Sequence, residues 1–466
     1  MKVIIIGAGP AGLTAAYHLI KHGVQVLVIE KDSQVGGISK TINYKGFLFD
    51  LGGHRFFTKH QEVKKIWREV LPDDFLLRPR LSRIYYKNRL FYYPLKPLNA
   101  LFNLGPLQAA SALLSYIQAR IKPDPDPANF EQWVSNRFGR RLYQIFFKTY
   151  TEKVWGIPCT EISADWAAQR IRDLSLGKAV ANAFNLSGKN KPRTLIEEFY
   201  YPRRGPGQFW QKMADLIKDM GGEISLNTEL VRYELEEGRI KCLKVKVNGL
   251  LSEIIADGVI TTAPLSETIQ SINSSIPDEV RKSAIALRYR DFITVGLIIN
   301  REKLFPDNWI YIHSPEIRAG RLQNFKNWSP EMVPDSRFTS LGLEYFCFSS
   351  DEIWQAEDQQ IKEIGIVDIV NLKMAAPGEV MDAFVKRVPK AYPVYERGYL
   401  KKVEIIKEFL RGLKNFQTAG RNGLHRYNNQ DHSMLSGLMA ARKILGEKGD
   451  PWEVNTEEEY HELARD

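Results

Sequence analysis

A polar run near the C-terminus, GRNGLHRYNNQDHSM (420–434), carries side chains that could bind a metal, an anion or a nucleotide. Its arginines and asparagines can donate hydrogen bonds to phosphate or carbonyl oxygens. A metal site at His425 and His432 is disfavoured by their spacing and by the lack of nearby cysteines or paired acids. We therefore predict no bound metal. The run is then either a surface loop or part of a nucleotide pocket, and the other end of the chain decides between them.

The N-terminus has glycines at the spacing of a dinucleotide-binding turn. In KVIIIGAGPAGLTAAYHLIKHGVQVLVIEKD, Gly7 permits a sharp turn, Gly9 lets the backbone approach a pyrophosphate, and Gly12 lets the helix pack on the strand. The pyrophosphate would lie at the positive end of the helix dipole. Glu30 ends the second strand, where a carboxylate accepts hydrogen bonds from a ribose diol. This acid favours FAD or NAD over NADP.

Two further glycine pairs favour FAD over NAD. Gly36-Gly37 and Gly52-Gly53 follow the second strand, and the latter pair leads into His54. Glycine pairs let backbone amides approach a flat, extended cofactor. This succession resembles the glutathione-reductase type of FAD fold. The predicted fold class is therefore α/β, with a Rossmann-like FAD-binding domain, a helical insert and a β-sheet substrate domain.

The C-terminal run fits this fold as the floor of a flavin pocket. LKNFQTAGR reads as a returning strand, and DHSMLSGLMAARKI reads as a helix capped by Asp431 or Ser433. A helix N-terminus beside the N1–C2=O edge of the flavin would stabilise the reduced, anionic form. The residues predicted to bind FAD come from both ends of the chain: Gly7, Gly9, Gly12, Glu30, Gly36, Gly37, Gly53, His54, Gly420, Arg421, Asp431, Ser433 and Met434.

The bulk composition is that of an ordinary globular protein of 466 residues, with 44% hydrophobic and 26% charged residues. A net charge of +10 favours a phosphorylated small molecule or an anionic membrane surface as partner, since the basic residues are too scattered for nucleic acid. Three widely spaced cysteines are typical of a reducing compartment, so we predict a cytoplasmic location. The apolar stretch 98–121 is interrupted by Gly105 and Pro106, which favours a core helix over a transmembrane or membrane-lying helix.

The alternation of motifs predicts a discontinuous domain organisation. A β-meander ending in DGVITTAP and the returning strand both belong with the N-terminal nucleotide fold. The predicted parts are an FAD-binding domain over 1–80, 205–285 and 410–446, a helical substrate insert over 81–204, a β-rich substrate domain over 286–409, and a tail over 447–466.

The two inserts carry motifs rich in tryptophan, tyrosine and arginine. These are YPLK (93–96), YTEKVWGIPCTEISADWAAQRI (150–171), WIYIHSPEIRAGRLQNFKNWSP (309–330) and KAYPVYERG (390–398). Together with GGHRFF and the C-terminal run, they resemble the UDP-galactopyranose mutase family, particularly its eukaryotic-type branch. The resemblance implies catalytic roles for Arg170, Arg321 and His54. It implies substrate binding by Tyr93, Trp155, Arg170, Tyr311, Arg321, Tyr392 and Tyr427.

The resemblance implies an isomerase that interconverts the pyranose and furanose forms of a nucleotide sugar for cell-surface polysaccharide biosynthesis. In such enzymes N5 of reduced FAD attacks the anomeric carbon while arginines hold the diphosphate. NAD(P)H is a candidate reductant, and a homo-oligomer is left open. Lys96 and Thr151 stand where the family has glutamine and asparagine, so the base and the sugar stay open. The alternatives are an FAD oxidase of the amine oxidase or protoporphyrinogen oxidase type, and a flavoprotein without catalytic activity.

Overall fold

The computed structural model describes residues 1–164, 166, 197–273 and 276–456. Its strands, numbered in chain order, are β1 (Lys2–Ile6), β2 (Gln25–Ile29), β3 (Thr41–Tyr44), β4 (Phe47–Asp50), β5 (Phe75–Pro79), β6 (Ser82–Tyr86), β7 (Arg89–Tyr92), β8 (Glu198–Pro202), β9 (Glu223–Ser225), β10 (Thr228–Glu236), β11 (Arg239–Val247), β12 (Leu250–Ile255), β13 (Gly258–Thr261), β14 (Tyr289–Ile299), β15 (Trp309–Ile312), β16 (Arg321–Asn324), β17 (Thr339–Cys347), β18 (Val380–Pro393) and β19 (Phe416–Thr418).

The helices of the described residues are numbered in the same way. They are α1 (Pro10–Lys21), α2 (Gln61–Val70), α3 (Pro97–Leu104), α4 (Pro106–Ile121), α5 (Phe130–Phe138), α6 (Arg140–Tyr143), α7 (Thr149–Trp155), α8 (Pro206–Asp219), α9 (Leu265–Gln270), α10 (Asp278–Ile285), α11 (Phe325–Trp328), α12 (Glu352–Gln355), α13 (Asp358–Asn371), α14 (Tyr399–Arg411), α15 (Gly420–Gly423) and α16 (Gln430–Ile444). A π-helical turn over Gln144–Lys148 joins α6 to α7.

A parallel five-stranded sheet, in the order β19-β13-β1-β2-β9, is the centre of one half of the molecule. The apolar run of β1 is buried, as expected for a central parallel strand covered on both faces. α1 packs against α16 with their backbones in contact, because a Cβ at Gly437 would lie 2.2 Å from the Ala11 carbonyl oxygen. The predicted strand–turn–helix–strand, the returning strand and the meander of β10, β11 and β12 are all present.

A second sheet of seven strands, in the order β18-β14-β17-β16-β15-β6-β7, forms the other half. Its pairs are antiparallel except for β15 with β6. The central strand β14 is buried along its whole length. This sheet carries Arg321 at the start of β16 and Tyr392 near the end of β18, so it positions two of the predicted substrate residues.

The segment predicted as a helical insert over 81–204 begins instead with the hairpin of β6 and β7, which belongs to the seven-stranded sheet. Lys87 and Asn88 form its two-residue turn, and both have positive φ angles of 49° and 61°. Two left-handed residues match the twist of paired strands, which makes this turn a hairpin connection. The alternating pattern of SRIYY and RLFY was the signal for these strands. The partition into domains otherwise stays a prediction.

The prediction of a core helix over 98–121 is wrong. The stretch forms α3 and α4, and within α4 only Ala112 is buried. Large apolar side chains point to solvent, with Phe102 exposed by 78% and Leu107 by 86%. No helix among the described residues is long and apolar enough to cross a bilayer. An apolar composition therefore did not indicate burial here, because α4 packs through its small residues.

Candidate active site

The turn between β1 and α1 has the steric features of a phosphate-binding turn. Gly7 has a φ of +96°, and a Cβ there would lie 2.2 Å from Oγ1 of Thr262. A Cβ at Gly12 would lie 1.9 Å from the Gly7 carbonyl oxygen. α1 begins at Pro10, so its first free N–H groups face the cavity beside Gly9. Such a helix N-terminus favours an anionic group.

Glu30 lies where its carboxylate can face a ribose. Its Oε2 accepts a hydrogen bond from the Ala8 backbone N–H at 2.7 Å, and its Oε1 accepts one from the Asp32 N–H at 2.9 Å. These two bonds fix the carboxylate at the end of β2. Glu30 lines a cavity of about 550 Å³ that also contacts Gly7 and Gly9.

The Gly36-Gly37 pair carries the chain over the phosphate-binding turn. A Cβ at Gly37 would lie 3.2 Å from the Gly9 Cα, and the Gly36 N–H donates to the Ala8 carbonyl at 2.8 Å. Gly37 lines the same large cavity. The two glycine motifs therefore meet at one place, as the sequence predicted.

The C-terminal run borders this cavity from the opposite end of the chain. Gly420, Arg421, Asn422, Asn428, Gln430 and Ser433 all line it. The predicted cap of α16 needs correction, because the helix begins at Gln430 with Asn429 in the capping position and without a side-chain cap. Asp431 and Ser433 lie within the first turn, since the tight loop before Asn429 lets the helix start earlier than the apolar pattern indicates.

Five of the predicted cofactor residues do not line the larger cavity: Gly12, Gly36, Gly53, Asp431 and Met434. Met434 is fully buried, and its sulfur accepts a hydrogen bond from Trp67 Nε1 at 3.2 Å. Asp431 is 2% exposed and does not line the large cavity. Gln430, which the sequence did not single out, joins the two ends of the chain. Its amide accepts from Trp210 Nε1 at 3.2 Å and donates to the Arg55 carbonyl at 3.1 Å.

A second, smaller cavity of about 60 Å³ adjoins the first. Both are lined by His54, Arg421 and Gln430. The remaining lining residues of the smaller cavity come from the Gly52–Phe57 turn and from distant segments: Gly52, Gly53, Arg55, Phe57, Arg321, Tyr392, Tyr427 and Asn429. His54 therefore lies at the boundary between the two cavities. Gly53 lies on the side of the smaller one.

His54 is electrically neutral at neutral pH. Burial lowers the pKa of its imidazole to about 4, and the positive charge of Arg421 adds to this shift. Its Nε2 lies 2.9 Å from the Leu51 carbonyl oxygen. That ring nitrogen therefore carries the proton, since a carbonyl oxygen can only accept. The residue supplies a fixed neutral ring and a backbone, rather than a titrating acid or base.

Arg321 is held by a buried carboxylate. Its Nε donates to Oε2 of Glu344 at 2.6 Å, and Nη2 donates to the Tyr392 hydroxyl at 2.9 Å. The side chain of Glu344 is 1% exposed, and Gln323 donates to its other oxygen at 2.9 Å. Burial alone would lower the pKa of Arg321, but Glu344 and the nearby tyrosines raise it well above its ordinary value. The guanidinium stays charged, although Glu344 balances its charge.

Arg421 supplies a second guanidinium to the smaller cavity. It lies over the rings of Tyr392 and Tyr427, at 5.1 and 4.6 Å from their centroids. Its nitrogens donate to the carbonyl oxygens of Asn428 and Ala391 at 2.9 to 3.2 Å. These acceptors are neutral, so the positive charge of Arg421 is not cancelled by a hydrogen-bonded carboxylate. The sequence predicted a cofactor role for Arg421, but it did not predict this position at both cavities.

Of the predicted aromatic residues, Tyr392 and Tyr427 contact these guanidinium groups directly. Tyr392 and Tyr427 stack at 5.7 Å with an interplanar angle of 12°. Trp155 meets both rings edge-on at 6.4 Å. The ring of Tyr311 meets the ring of Tyr150 edge-on, with 5.4 Å between the ring centroids. The arrangement brings together side chains that lie far apart in sequence.

Tyr150 is a member of this cluster that sequence reasoning missed. Burial raises its pKa well above the ordinary value for tyrosine, while the positive charge of Arg321 opposes the shift. Its ring also stacks on His313 at 4.8 Å. Its place five residues before Trp155, in TYTEKVW, was the available signal. Tyr93 lies farther along, with its ring 5.1 Å from that of Tyr311.

A half-buried lysine and a buried arginine hold the helix that carries Trp155. Lys153 donates to backbone carbonyls of the β15–β16 connection, including those of Ser314 and Ile317 at 2.7 Å each. Arg290 donates to the carbonyls of Lys153 and Val154 at 3.2 Å. These bonds tie α7 to the strands that position Arg321. Neither role was visible in the sequence, because the acceptors are backbone atoms.

Arg170 lies outside the residues that the structure describes. Its predicted meeting with Arg321 in front of the flavin therefore stays a prediction. Among the described parts of the chain there is no group of three or more histidines, cysteines and acids that could hold a metal ion.

Comparison with known protein families decides the class to which this pair of cavities belongs. The family model of flavin-containing amine oxidoreductases matches residues 10–385. The chain belongs to this family. It is therefore a flavoenzyme of the amine oxidase superfamily, and membership implies FAD as the cofactor.

Relatives identified by sequence in this family are named as oxidases and desaturases. The chain is 22% identical over 411 residues to a 4,4'-diapophytoene desaturase of Staphylococcus haemolyticus, which covers 85% of this chain and 71% of the enzyme. It is 25% identical to a 4,4'-diapophytoene desaturase of Methylomonas sp over 57% of this chain and 54% of that enzyme. An L-amino-acid oxidase of Crotalus adamanteus is 34% identical, but only over 21% of each chain.

Solved structures show the same fold at low sequence identity. A reduced UDP-galactopyranose mutase superposes with a TM-score of 0.84 at 23% identity, covering 98% of this chain and 99% of the mutase. A putrescine oxidase with bound putrescine gives a TM-score of 0.64 at 16% identity, over 96% and 99% of the two chains. Both likenesses establish the predicted fold, a parallel FAD-type sheet with an antiparallel substrate sheet.

The residues of the larger cavity fit FAD. A Cβ at Gly7 would lie 2.2 Å from Oγ1 of Thr262, and a Cβ at Gly37 would lie 3.2 Å from the Gly9 Cα. The N-terminus of α1 suits an anion, and Glu30 presents a fixed carboxylate to a ribose. The first turn of α16, through Gln430 and Ser433, lines the same cavity, as does His54. A dinucleotide can therefore extend from the glycine turn to the boundary with the smaller cavity.

Proposed function

We propose that this flavoenzyme is a nucleotide-sugar mutase of the UDP-galactopyranose mutase type. The observation that carries the proposal is the chemistry of the smaller cavity, where Arg321 and Arg421 share space with Tyr392 and Tyr427 beside His54. A pyrophosphate held away from bulk water needs guanidinium and hydroxyl donors of this kind. The likeness to a reduced mutase structure supports the fold but not by itself the reaction.

When bound in its reduced form, FAD would supply a nucleophilic N5 at the sugar, and NAD(P)H is a candidate reductant. The chain's own residues then have separate tasks. Arg421 contributes net positive charge to the leaving diphosphate. Arg321 contributes oriented N–H donors, because Glu344 already balances its charge. Arg170, which lies outside the described residues, would add a further positive charge if it reaches this cavity as the resemblance implies.

The aromatic residues position the remainder of the nucleotide sugar. The Tyr392 hydroxyl already accepts a hydrogen bond from Nη2 of Arg321, so the hydroxyl is held in place and its own proton can be donated to a phosphate oxygen. Tyr93 and Tyr311 lie in contact with one another and are candidates for the nucleotide end. His54, neutral and hydrogen-bonded to Leu51, keeps the flavin side of the cavity free of a competing proton donor.

An FAD oxidase or dehydrogenase is the second candidate function. The family match and the names of the desaturase and oxidase relatives favour it. It would use the same cofactor cavity, with a substrate oxidised in the smaller one. Such a reaction needs an electron acceptor and has no need for a pyrophosphate clamp.

The deciding experiment combines the holoenzyme with UDP-galactose or another nucleotide sugar, with and without dithionite. Product is followed by anion-exchange chromatography under anaerobic conditions. An oxygen electrode records uptake in separate samples without dithionite, because dithionite itself consumes oxygen. Turnover only with reduced flavin and without net oxygen consumption supports the mutase. Oxygen consumption with an amine, and no change in any nucleotide sugar, would replace it by the oxidase.

The diphosphate clamp has its own test in Arg321→Lys. Lysine keeps the charge but cannot reproduce the forked donors, so we expect kcat/KM for the nucleotide sugar to fall about 10- to 100-fold. The matched control is Arg301→Lys, where the arginine pairs with Glu379 and its side chain is 43% exposed. Equal activity of both variants would remove Arg321 from substrate binding.

A further inference from the structure

The helices α3 and α4 turn large apolar side chains toward solvent. We define the α3–α4 face as the residues between 45% and 86% exposed on these helices: Leu101, Phe102, Leu107, Leu113, Leu114, Ile117 and Ile121. Soluble monomers rarely expose a contiguous apolar patch of this kind unless it binds something. No part of this face belongs to either cavity of the candidate active site.

The outward orientation of α4 is fixed by how the helix packs. Leu107, Leu114, Ile117 and Ile121 follow a three-and-four spacing, which places them on one side of the helix. The opposite side carries small residues and includes Ala112, which is 6% exposed. A helix normally turns its large apolar residues inward, so this arrangement is the reverse of the usual one.

Backbone contacts keep α4 in this orientation. A Cβ at Gly139 would lie 2.6 Å from the Tyr116 backbone nitrogen, so the start of α6 lies directly against the helix. The Arg141 N–H donates to the Ser115 hydroxyl at 3.1 Å. Rotating the apolar side chains of α4 inward would break these contacts with Gly139 and Arg141. The exposed face is therefore part of the folded structure rather than a loosely packed helix.

The charged residues of the segment that carries the face are all basic. Residues 75–123 contain no aspartate or glutamate, whereas the whole chain has a net charge of +10. The basic residues of this segment are Arg78, Arg80, Arg83, Lys87, Arg89, Lys96, Arg120 and Lys122. Most of the excess positive charge of the protein thus lies within one tenth of its length, next to its largest exposed apolar side chains.

The exposed cations lie at the ends of the two helices. Lys96 precedes α3, and Arg89 donates to the Asn103 carbonyl near the end of α3. Arg120 and Lys122 lie at the end of α4, and all four are exposed. Basic residues flanking an apolar helix face are the arrangement by which helices lie in the interface of an anionic bilayer.

We propose that the α3–α4 face docks this protein on the surface of a bilayer that contains anionic lipids. The apolar side chains would enter the acyl boundary while Arg89, Lys96, Arg120 and Lys122 meet lipid phosphates. A second copy of the chain is a poorer occupant. A two-fold contact brings the same surface together with itself, so it would place these cations against one another. The proposal does not depend on which flavin reaction the protein performs.

The experiment uses the full chain loaded with FAD and two kinds of vesicle. One is phosphatidylcholine alone, and the other is an equimolar mixture of phosphatidylcholine and phosphatidylglycerol. We expect co-sedimentation with the anionic vesicles to exceed that with neutral vesicles by at least about tenfold. Raising the salt to about 1 M should reverse most of this difference, because the Debye length falls to about 3 Å.

Two double variants test the face itself. Leu114→Gln with Ile117→Gln should weaken binding to anionic vesicles at least about tenfold, because two large apolar side chains no longer enter the bilayer. The matched control is Leu250→Gln with Leu251→Gln on β12, where the leucines are 75% and 73% exposed. Arg120→Gln with Lys122→Gln should weaken binding by a smaller factor, and only at low salt.

Several results would overturn the proposal. One is the absence of binding to either vesicle, and another is equal weakening by the β12 control. A third is a dimer in sedimentation velocity that Leu114→Gln with Ile117→Gln converts to monomer, without any lipid binding. The flavin absorbance and the thermal midpoint of each variant should match those of the parent chain, because the altered residues lie on the surface.

Discussion

The two adjoining cavities share His54, Arg421 and Gln430 but are built in opposite ways. The larger one is bounded by backbone at its phosphate end, where glycines leave no space for a Cβ. The smaller one is bounded by side chains, chiefly Arg321, Tyr392 and Tyr427. Backbone sites depend on steric clearance. Side-chain sites depend on charge balance and hydroxyl groups contributed by distant strands.

This difference determines how each cavity should respond to mutation. One added methyl group at Gly12, behind the phosphate end of the larger cavity, must displace the backbone of the Gly7 turn. The smaller cavity can lose a hydroxyl and still fold, because the strands that carry its residues are held by their own hydrogen bonds. The exception is the buried pair of Arg321 and Glu344, because its loss should affect both substrate binding and the stability of the fold.

The largest effect is expected from Gly12→Ala. The new Cβ would lie 1.9 Å from the Gly7 carbonyl oxygen, so α1 must move away from the strand that it follows. We expect a loss of at least about 4 kcal/mol in the free energy of unfolding, together with loss of FAD. Gly378→Ala is the matched control, because a Cβ there meets nothing within 4 Å. Denaturant unfolding and bound-flavin absorbance measure both changes.

Arg321→Ala is expected to have the next largest effect on stability. It removes charge balance in the smaller cavity and leaves the glycine turn of the larger cavity unchanged. It leaves the Glu344 carboxylate buried without its cation, which should cost about 3–5 kcal/mol in the free energy of unfolding. FAD should still bind once the protein is folded, because the glycine turn is untouched. Equilibrium unfolding in urea and the flavin spectrum are the measurements.

The partner variant shows whether the carboxylate causes the loss. In Arg321→Ala with Glu344→Gln, the buried charge is removed, so part of the lost stability should return. A double variant that is no more stable than Arg321→Ala would show that packing, and not the uncompensated charge, is responsible. Activity on a nucleotide sugar should stay low in both, because the guanidinium is absent.

The glycine turn of the backbone-built cavity could be predicted from the sequence, although five of the thirteen residues predicted to bind FAD do not line this cavity. Glycine spacing reports steric clearance directly, so Gly7, Gly9 and Gly12 indicated both the turn and the helix that follows. The strand pattern around them predicted the parallel sheet. What failed there was local, since the start of α16 at Gln430 depends on a loop conformation that no residue pattern reports.

The side-chain-built cavity could be predicted only in part. The motifs around Trp155, Arg321 and Tyr392 indicated which residues belong to it, but their convergence needs strands that lie far apart in sequence. Glu344 was missed because one glutamate in an apolar strand carries no distinguishing spacing, whereas Tyr150 was missed although its place five residues before Trp155 was a signal. The α3–α4 face was predicted to be core, because an apolar composition does not show that a helix packs through the side that carries its small residues.

Asp50→Asn tests the strand that leads into the Gly52–His54 turn shared by both cavities. Burial raises the pKa of Asp50 to about 7, although hydrogen bonds from Tyr201 at 2.5 Å and Thr41 at 2.8 Å oppose the shift. The folded state therefore binds a proton that the unfolded state releases near pH 4. The free energy of unfolding should fall as the pH rises from about 4 to 7, by about 1.4 kcal/mol for each unit at most.

The asparagine variant cannot ionise, so it should lack this dependence. We expect the parent chain to lose stability relative to Asp50→Asn across that pH range, measured as the difference between their urea midpoints at each pH. Asp278→Asn, in the first turn of α10, is the control for a general effect of removing an acid. A constant difference between the parent chain and Asp50→Asn would mean that Asp50 is already ionised when buried.

The smallest effect is expected from Tyr392→Phe, which removes one hydroxyl and keeps the ring. The hydroxyl bonds to Nη2 of Arg321 at 2.9 Å, and its loss should cost about 1 kcal/mol in the free energy of unfolding. The ring still stacks on Tyr427 and lies under Arg421, so the wall keeps its shape. For a phosphate-binding cavity we expect KM for the nucleotide sugar to rise about five- to tenfold with kcat nearly unchanged.

Tyr200→Phe is the control for this change, because its ring is 49% exposed and lies outside both cavities. In a side-chain-built site, loss of the Tyr392 hydroxyl should change KM more than it changes the free energy of unfolding. In a backbone-built site, a substitution should change the free energy of unfolding more than it changes KM. If Tyr392→Phe lowers stability without altering KM, the hydroxyl only supports Arg321, and contact with a phosphate oxygen must be assigned to Tyr427 or Arg421 instead.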